Sequence, residues 1–184
     1  LVCVDARGAL VLRTNLRQGR FRTSPLGVPG AVDVAAEDLN ADGFPDLVAA
    51  PASGAVVLVG KGDGTFTREA NADLAALGAS KAVLLADLDN DGYPDLVVST
   101  STLAAFRRSP GGFTPWPILP KAVAPAERLL ALDADRDGDL DVVAWAGGKG
   151  TLLVNGGGNA NGWLDVTLEG LATGSGKVNR SGVG

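Results

Sequence analysis

The chain has 184 residues, 46% of them hydrophobic, and a formal net charge of −5. That is enough apolar material for one sizeable domain, but no apolar run approaches the roughly 18–20 residues of a membrane-spanning helix. The acidic balance argues against a general nucleic-acid binder, which needs a basic face. The absence of histidine removes Ser-His-Asp and Cys-His triads, histidine-built zinc sites and the commonest acid–base residue.

The chain opens on Leu1-Val-Cys-Val4, which holds its single cysteine. No internal disulfide can form, and Cys3 in this apolar setting reads as a buried structural residue. A start at Leu, no Met anywhere and no basic-plus-apolar leader lead us to expect an excerpt of a longer protein. Next comes Gly19-Arg20-Phe21, a glycine turn followed by an aromatic. The same landmark returns at Gly64-Thr65-Phe66, Gly112-Phe113 and Gly162-Trp163, with the aromatics 45, 47 and 50 residues apart.

Short apolar, β-branched runs bounded by Gly, Pro, Asn and Asp are strand signals. They predict strands over 32–37, 46–50, 55–59 and 66–69. A short Ala-rich stretch over 70–77 is expected to make at most a turn or two of helix. The pattern then repeats over 81–87, 95–100 and 102–106, with Phe113 opening a fourth segment. Gly60-Lys-Gly-Asp-Gly-Thr65 superficially looks like a phosphate loop, but it lacks the required spacing and falls at the hairpin landmark. It reads as a turn. Arg107 and Arg108, at a hairpin end, are expected to be solvated, and Trp116, Trp145 and Trp163 to pack between repeats.

Three acidic loops recur in phase with these strands. They are Asp38-Leu-Asn40-Ala-Asp42-Gly43-Phe44-Pro-Asp46, Asp87-Leu-Asp89-Asn-Asp91-Gly92-Tyr93-Pro-Asp95 and Asp133-Ala-Asp135-Arg-Asp137-Gly138-Asp139-Leu-Asp141. Each puts an oxygen-bearing side chain at positions 1, 3, 5 and 9 and Gly at 6. Their first aspartates lie 49 and 46 residues apart. Two landmarks sharing one period indicate an internal repeat. Four short antiparallel strands every 45–50 residues describe β-propeller blades, so the expected fold is all-β with an incomplete ring. Blades are expected at about 31–80, 81–125 and 126–170, after a partial blade over 1–30.

Twelve of the 21 acidic residues lie in the three loops, and such clusters repel themselves unless a cation sits among them. An all-oxygen donor set suits Ca²⁺. The ligands expected are Asp38, Asn40, Asp42 and Asp46; Asp87, Asp89, Asp91 and Asp95; and Asp133, Asp135, Asp137 and Asp141. The backbone carbonyls of Phe44, Tyr93 and Asp139 at position 7 complete each set. Three ions would move the net charge from −5 to about +1. The first loop, with Asn at position 3, is expected to be the weakest site. An EF-hand would need Glu at position 12 and flanking helices; here position 12 is Ala49, Val98 and Ala144, inside strand-like runs.

These loops, each followed by an apolar strand, resemble FG-GAP/VCBS repeats, the calcium-loop blades of integrin α-chain propellers and of many secreted bacterial proteins. The resemblance covers about residues 1–158 and implies Ca²⁺ ligation by positions 1, 3, 5, 7 and 9. The Phe-Gly…Gly-Ala-Pro signature of integrin repeats is not intact, so the VCBS-like branch is nearer. Further on, Asn155-Gly-Gly-Gly-Asn159, Trp163-Leu-Asp-Val-Thr-Leu-Glu-Gly170 and Asn179-Arg180-Ser-Gly182-Val-Gly184 resemble the opening of an ASPIC/UnbV domain over 159–184. That module follows propeller repeats in bacterial outer-surface proteins and in cartilage acidic protein. Val178 and Val183 depart from the usual Ser and Ile.

The function expected is a non-enzymatic, calcium-stabilised propeller module of an extracellular, cell-surface or periplasmic protein, presenting loops to a protein or glycan. Neither nucleic acid nor a membrane span is expected, and exposed end blades are expected to associate. The alternatives are a propeller part of a carbohydrate-active enzyme whose catalytic residues lie outside this chain, and a purely architectural propeller.

Overall fold

The apolar runs are too short for helices and are rich in Val, Leu and Ala, so they pair as strands instead. In the computed structural model, which describes residues 1–120, 123–157 and 161, they form four antiparallel sheets. The first sheet holds β1 (Val2–Val4), β2 (Ala9–Asn15) and β3 (Phe21–Pro29). The second holds β4 (Ala31–Glu37), β5 (Asp46–Pro51), β6 (Val56–Gly60) and β7 (Phe66–Glu69). After the single-turn α1 (Ala72–Ala75), the third holds β8 (Ala82–Ala86), β9 (Asp95–Ser99), β10 (Leu103–Ser109) and β11 (Gly112–Trp116). The fourth holds β12 (Arg128–Leu132), β13 (Asp141–Ala146) and β14 (Lys149–Leu153).

Every sheet is a meander in which sequence neighbours are spatial neighbours, and none closes into a barrel among the described residues. The second and third sheets carry the same register. Ala35 faces Val48 as Leu84 faces Val97, and Glu37 faces Asp46 as Ala86 faces Asp95. The architecture is therefore the expected one of propeller blades. The first sheet consists of three strands, with no acidic loop before it.

The sheets pack face to face in three apolar layers. Leu10, Val28, Leu47 and Leu58 lie between the first and second sheets. Val48, Val57, Leu96, Val98 and Phe106 lie between the second and third. Leu88, Val97, Leu129 and Val142 lie between the third and fourth. β5 and β9 are buried along their whole length, so Leu47 and Val48 point into different layers, as do Leu96 and Val97. Burial on both faces explains why these strands read as continuous apolar runs rather than alternating ones. Each Val or Leu so buried contributes about 1.5–3 kcal/mol before entropy is counted.

Polar cross-links tie the layers. Asp33 on β4 accepts from the Val83 N–H of β8 at 3.1 Å, and the buried Ser99 Oγ accepts from Ala126 N at 2.8 Å. Asn71 caps α1 by accepting from Leu74 N and donates through Nδ2 to Phe113 O, 2.8 Å away. The 60–65 segment is a hairpin turn, closed by Lys61 N to Thr65 O and by Asp63 Oδ1, which accepts from both Thr65 N and Oγ1.

Several side chains differ from expectation. Arg108 is 4% exposed, not solvated. It donates through Nε to Leu39 O at 3.0 Å and through its terminal nitrogens to Glu69 at 2.8 and 3.3 Å. Its guanidinium also lies 4.9 Å from the centre of the Phe113 ring. Strand alternation accounts for the error: adjacent residues on β10 face opposite ways, so only Arg107 points outward. Phe113 is buried and Phe66 and Trp116 pack partly between sheets, but Phe21 and Trp145 lie largely exposed on the outer sheets. Cys3 is half-buried. Leu130, Leu132 and Leu152 of the fourth sheet, and Val154 just after it, are also exposed among the described residues. Trp163, the 179–181 segment and the ASPIC/UnbV-like stretch lie outside the described residues, apart from Asn161.

The buried Arg108–Glu69 pair sets a test. Because the Glu69 side chain is 25% exposed, Glu69→Ala should cost roughly 2–3 kcal/mol in denaturant unfolding, below the full cost of stranding a deeply buried charge. The double variant Arg108→Met/Glu69→Leu should cost less than the two single losses summed.

Candidate metal centres

The three acidic loops are the turns joining β4 to β5, β8 to β9 and β12 to β13. They share one backbone. Position 6 is left-handed in each, with φ of 83°, 89° and 94° at Gly43, Gly92 and Gly138. Position 4 is left-handed as well, although it is not glycine: φ is 59° at Ala41, 55° at Asn90 and 64° at Arg136. Each such residue stores about 1 kcal/mol of strain. Three unlike side chains in one disfavoured conformation mean that the loop, not the residue, sets the angle.

The curl is held by carboxylates accepting from backbone N–H groups. The position-1 aspartate accepts from the N–H of position 6: Gly43 N to Asp38 Oδ2 at 2.8 Å, Gly92 N to Asp87 Oδ2 at 2.8 Å, and Gly138 N to Asp133 Oδ2 at 3.2 Å. The position-5 aspartate accepts from position 7: Phe44 N to Asp42, Tyr93 N to Asp91, and Asp139 N to Asp137.

Position 9 has a second duty. Asp46, Asp95 and Asp141 are almost wholly buried. In each, Oδ2 accepts from the N–H of position 2 (Leu39, Leu88, Ala134) at 2.9–3.1 Å. Oδ1 accepts from a backbone N–H beyond the next hairpin (Gly60, Arg108, Asn155) at 2.7–2.8 Å. One carboxylate thus pins the loop to the end of the neighbouring third strand. At Gly60 the fit is tight, and a Cβ there would overlap Pro45 O.

The second and third loops bring carboxylates together. Oxygens of Asp87, Asp89 and Asp95 lie within 4.8 Å of one another, and so do those of Asp133, Asp135 and Asp137. Asp89 Oδ1 and Asp133 Oδ1 are buried with no hydrogen-bond donor, a costly state for a carboxylate oxygen. A hard cation would satisfy both, and an all-oxygen donor set fits one. The first loop differs. Asn40 Nδ2 donates to Asp42 Oδ2 at 2.9 Å while Asn40 Oδ1 accepts from Asp42 N, so the amide itself bridges where a third carboxylate stands elsewhere. Phe44 lays its ring against Gly62, and Asp139 is fully buried.

Burial pushes the Asp95 carboxyl up to about 7, with the charges of Asp89 and Asp91 adding to it against the two N–H donors. Burial likewise raises Asp46, and it raises Asp89 together with the neighbouring Asp91. Asp135 is raised by desolvation and by Asp137. Asp38 is held low by the Gly43 N–H.

Sequence reasoning missed two basic residues at these loops. Arg107 Nη2 lies 2.6 Å from Asp89 Oδ2 and 3.1 Å from Asp91 Oδ2, and Arg108 reaches the first loop at Leu39 O. The usable signal was their adjacency on a strand beside the loop. The loops also touch each other: Asn90 Nδ2 donates to Gly138 O at 3.0 Å, and Asn155 Nδ2 to Leu88 O at 2.6 Å.

Two outcomes follow from this geometry. Asp141→Asn keeps one acceptor for two N–H groups, so it should cost about 1–3 kcal/mol in chelator, measured by denaturant unfolding. Asp95 titrates near 7 when folded against an ordinary 3.8, so its stabilising protonated form is lost as pH rises. Metal-free protein should therefore lose stability between about pH 4 and 7. The lowered groups Asp5, Asp38 and Asp63 act below that window. A melting temperature flat across it would contradict the assignment.

Residues 38–98 match the family model of the FG-GAP-like repeat. The match takes in the first two loops; the third is joined to them by its shared geometry. Among curated proteins no match is found. Among solved structures, the fold is similar to that of a lectin from Agrocybe aegerita, studied for specific recognition of non-reducing terminal N-acetylglucosamine. The two are 19% identical with a TM-score of 0.51, over 80% of this chain and 47% of that one. The chain thus spans about half the length of that lectin, and at this identity the likeness concerns the fold. Together these findings support FG-GAP-like repeats arranged as β-propeller-like blades.

Proposed function

We propose that this chain is a calcium-stabilised β-propeller module of a secreted or surface protein, presenting its loops to a protein or glycan partner. The observation that carries the calcium half is the pair of buried carboxylate oxygens without donors, Asp89 Oδ1 and Asp133 Oδ1, inside clusters of three aspartates. Oxygen-only donors favour Ca²⁺, which takes six to eight of them in flexible geometry, over softer metals. Positions 1, 3, 5 and 9 would supply side-chain oxygens, and position 7 a carbonyl. The FG-GAP-like match over 38–98 supports the same reading.

The ion would act as a staple. It neutralises like charges at the turn between the first two strands of a blade, and through the position-9 aspartate it bears on the third strand. We read the module as non-enzymatic: the chain has no histidine, and most of its paired carboxylates belong to the loops. The binding role rests on the propeller-like architecture and on likeness to a glycan-recognising lectin. Terminal N-acetylglucosamine glycans are therefore the first probes to try.

Thermal melting tests the staple. At ~1 mM Ca²⁺ and a dissociation constant of ~0.1 mM, each ion stabilises by roughly 1.4 kcal/mol. Three ions should raise the melting temperature by on the order of 10 °C over EDTA, and Mg²⁺ should do less because it demands tighter octahedral geometry. Identical melts in calcium and EDTA would overturn the calcium reading. A glycan array probed in calcium and in EDTA tests the recognition half, with calcium-dependent retention as the expected result.

A further inference from the structure

Arg107 stands outside the loops and yet occupies the middle one. Its Nη2 makes ion pairs at 2.6 Å with Asp89 and 3.1 Å with Asp91, the residues at positions 3 and 5. Both pairs use Oδ2, while Asp89 Oδ1 stays buried without a donor. The guanidinium therefore takes the Oδ2 atoms of Asp89 and Asp91 and leaves Asp89 Oδ1 without a donor. The Arg107 side chain is 47% exposed, which gives it an open route to solvent.

The neighbouring repeats carry no such charge. Arg107 immediately precedes the residue whose N–H pins the position-9 aspartate. The equivalents before Gly60 and Asn155 are Val59 and Val154. The arginine is thus a feature of one blade only. By carboxylate count the middle loop, with four aspartates against three in the first, should bind a cation more tightly than the first. Arg107 opposes that order.

We propose that Arg107 is a built-in competitor for the cation at the middle loop, so that this site fills only as the guanidinium is displaced. The inference rests on the calcium reading above. A divalent ion and the guanidinium seek the same oxygens and repel each other. Because the ion pairs are partly exposed, each is worth a modest amount, and removing both should tighten the middle site by roughly three- to tenfold. The device sets the calcium affinity of this one blade below what its four aspartates would otherwise give.

The test is calcium titration by calorimetry together with Tb³⁺ luminescence. Tyr93, the only tyrosine, lies at position 7 of the middle loop, so the signal lost in Tyr93→Phe reports that site. Arg107→Ala should tighten the Tyr93-dependent phase several-fold and leave the other phases in place. Arg107→Lys should keep the weaker binding, and Arg13→Ala, which removes an equal charge from the first sheet, should change nothing. If Arg107→Ala shifts the Tyr93-dependent phase less than twofold while calcium still binds, the competition is overturned and the calcium reading stands. If no loop takes up calcium at millimolar concentration in any variant, both fall.

Discussion

The whole arrangement depends on one buried carboxylate per repeat. Asp46, Asp95 and Asp141 each accept an N–H from position 2 of their own loop and another from beyond the following hairpin. Two such bonds per carboxylate hold the turn, the strand that follows it and the end of the next strand in one frame. The same burial makes the anion expensive, as the upward push on Asp95 and Asp46 shows. A fold that buries a carboxylate beside other carboxylates invites a cation. The requirement of the scaffold and the chemistry of the site are therefore one constraint.

That constraint extends from blade to blade. In the second and third repeats the residue that donates its N–H to the position-9 aspartate also sends its side chain to the preceding repeat: Arg108 to Leu39 O and Asn155 to Leu88 O. The first two loops are thus anchored by their own sheets and touched by the next repeat. Asn90 adds a direct link between the second and third loops. Repeat proteins gain stability from such nearest-neighbour interfaces, and here the interface is partly polar and sits next to the acidic turns.

Much of this was legible in the sequence because period and spacing carry it. The aspartate-glycine loops fell between strands, β5 and β9 followed from their continuous apolar runs, and the single-turn α1 followed from one short Ala-rich stretch. What escaped notice needs three-dimensional context. The adjacent Arg107 and Arg108 read as two solvated charges, whereas strand alternation sends one outward to a loop and the other into the core. Trp145 was expected between sheets, but it lies on an outer face for which no covering sheet is seen among the described residues. The left-handed angle at Ala41 and Arg136 left no mark in residue type, since the loop closure imposes it; only Asn90 is of a type that favours it. The double role of the position-9 aspartate was hidden because spacing along the chain says nothing of the N–H groups that return from 13 or 14 residues further on.

The most direct measurement is anomalous diffraction from crystals grown with ample calcium. The account predicts density peaks within about 2.3–2.6 Å of the carboxylate oxygens of Asp87, Asp89 and Asp95 and of Asp133, Asp135 and Asp137, with the left-handed turns at Asn90 and Arg136 retained. Aspartates turned to solvent with no peak among them, at calcium concentrations well above millimolar, would contradict it.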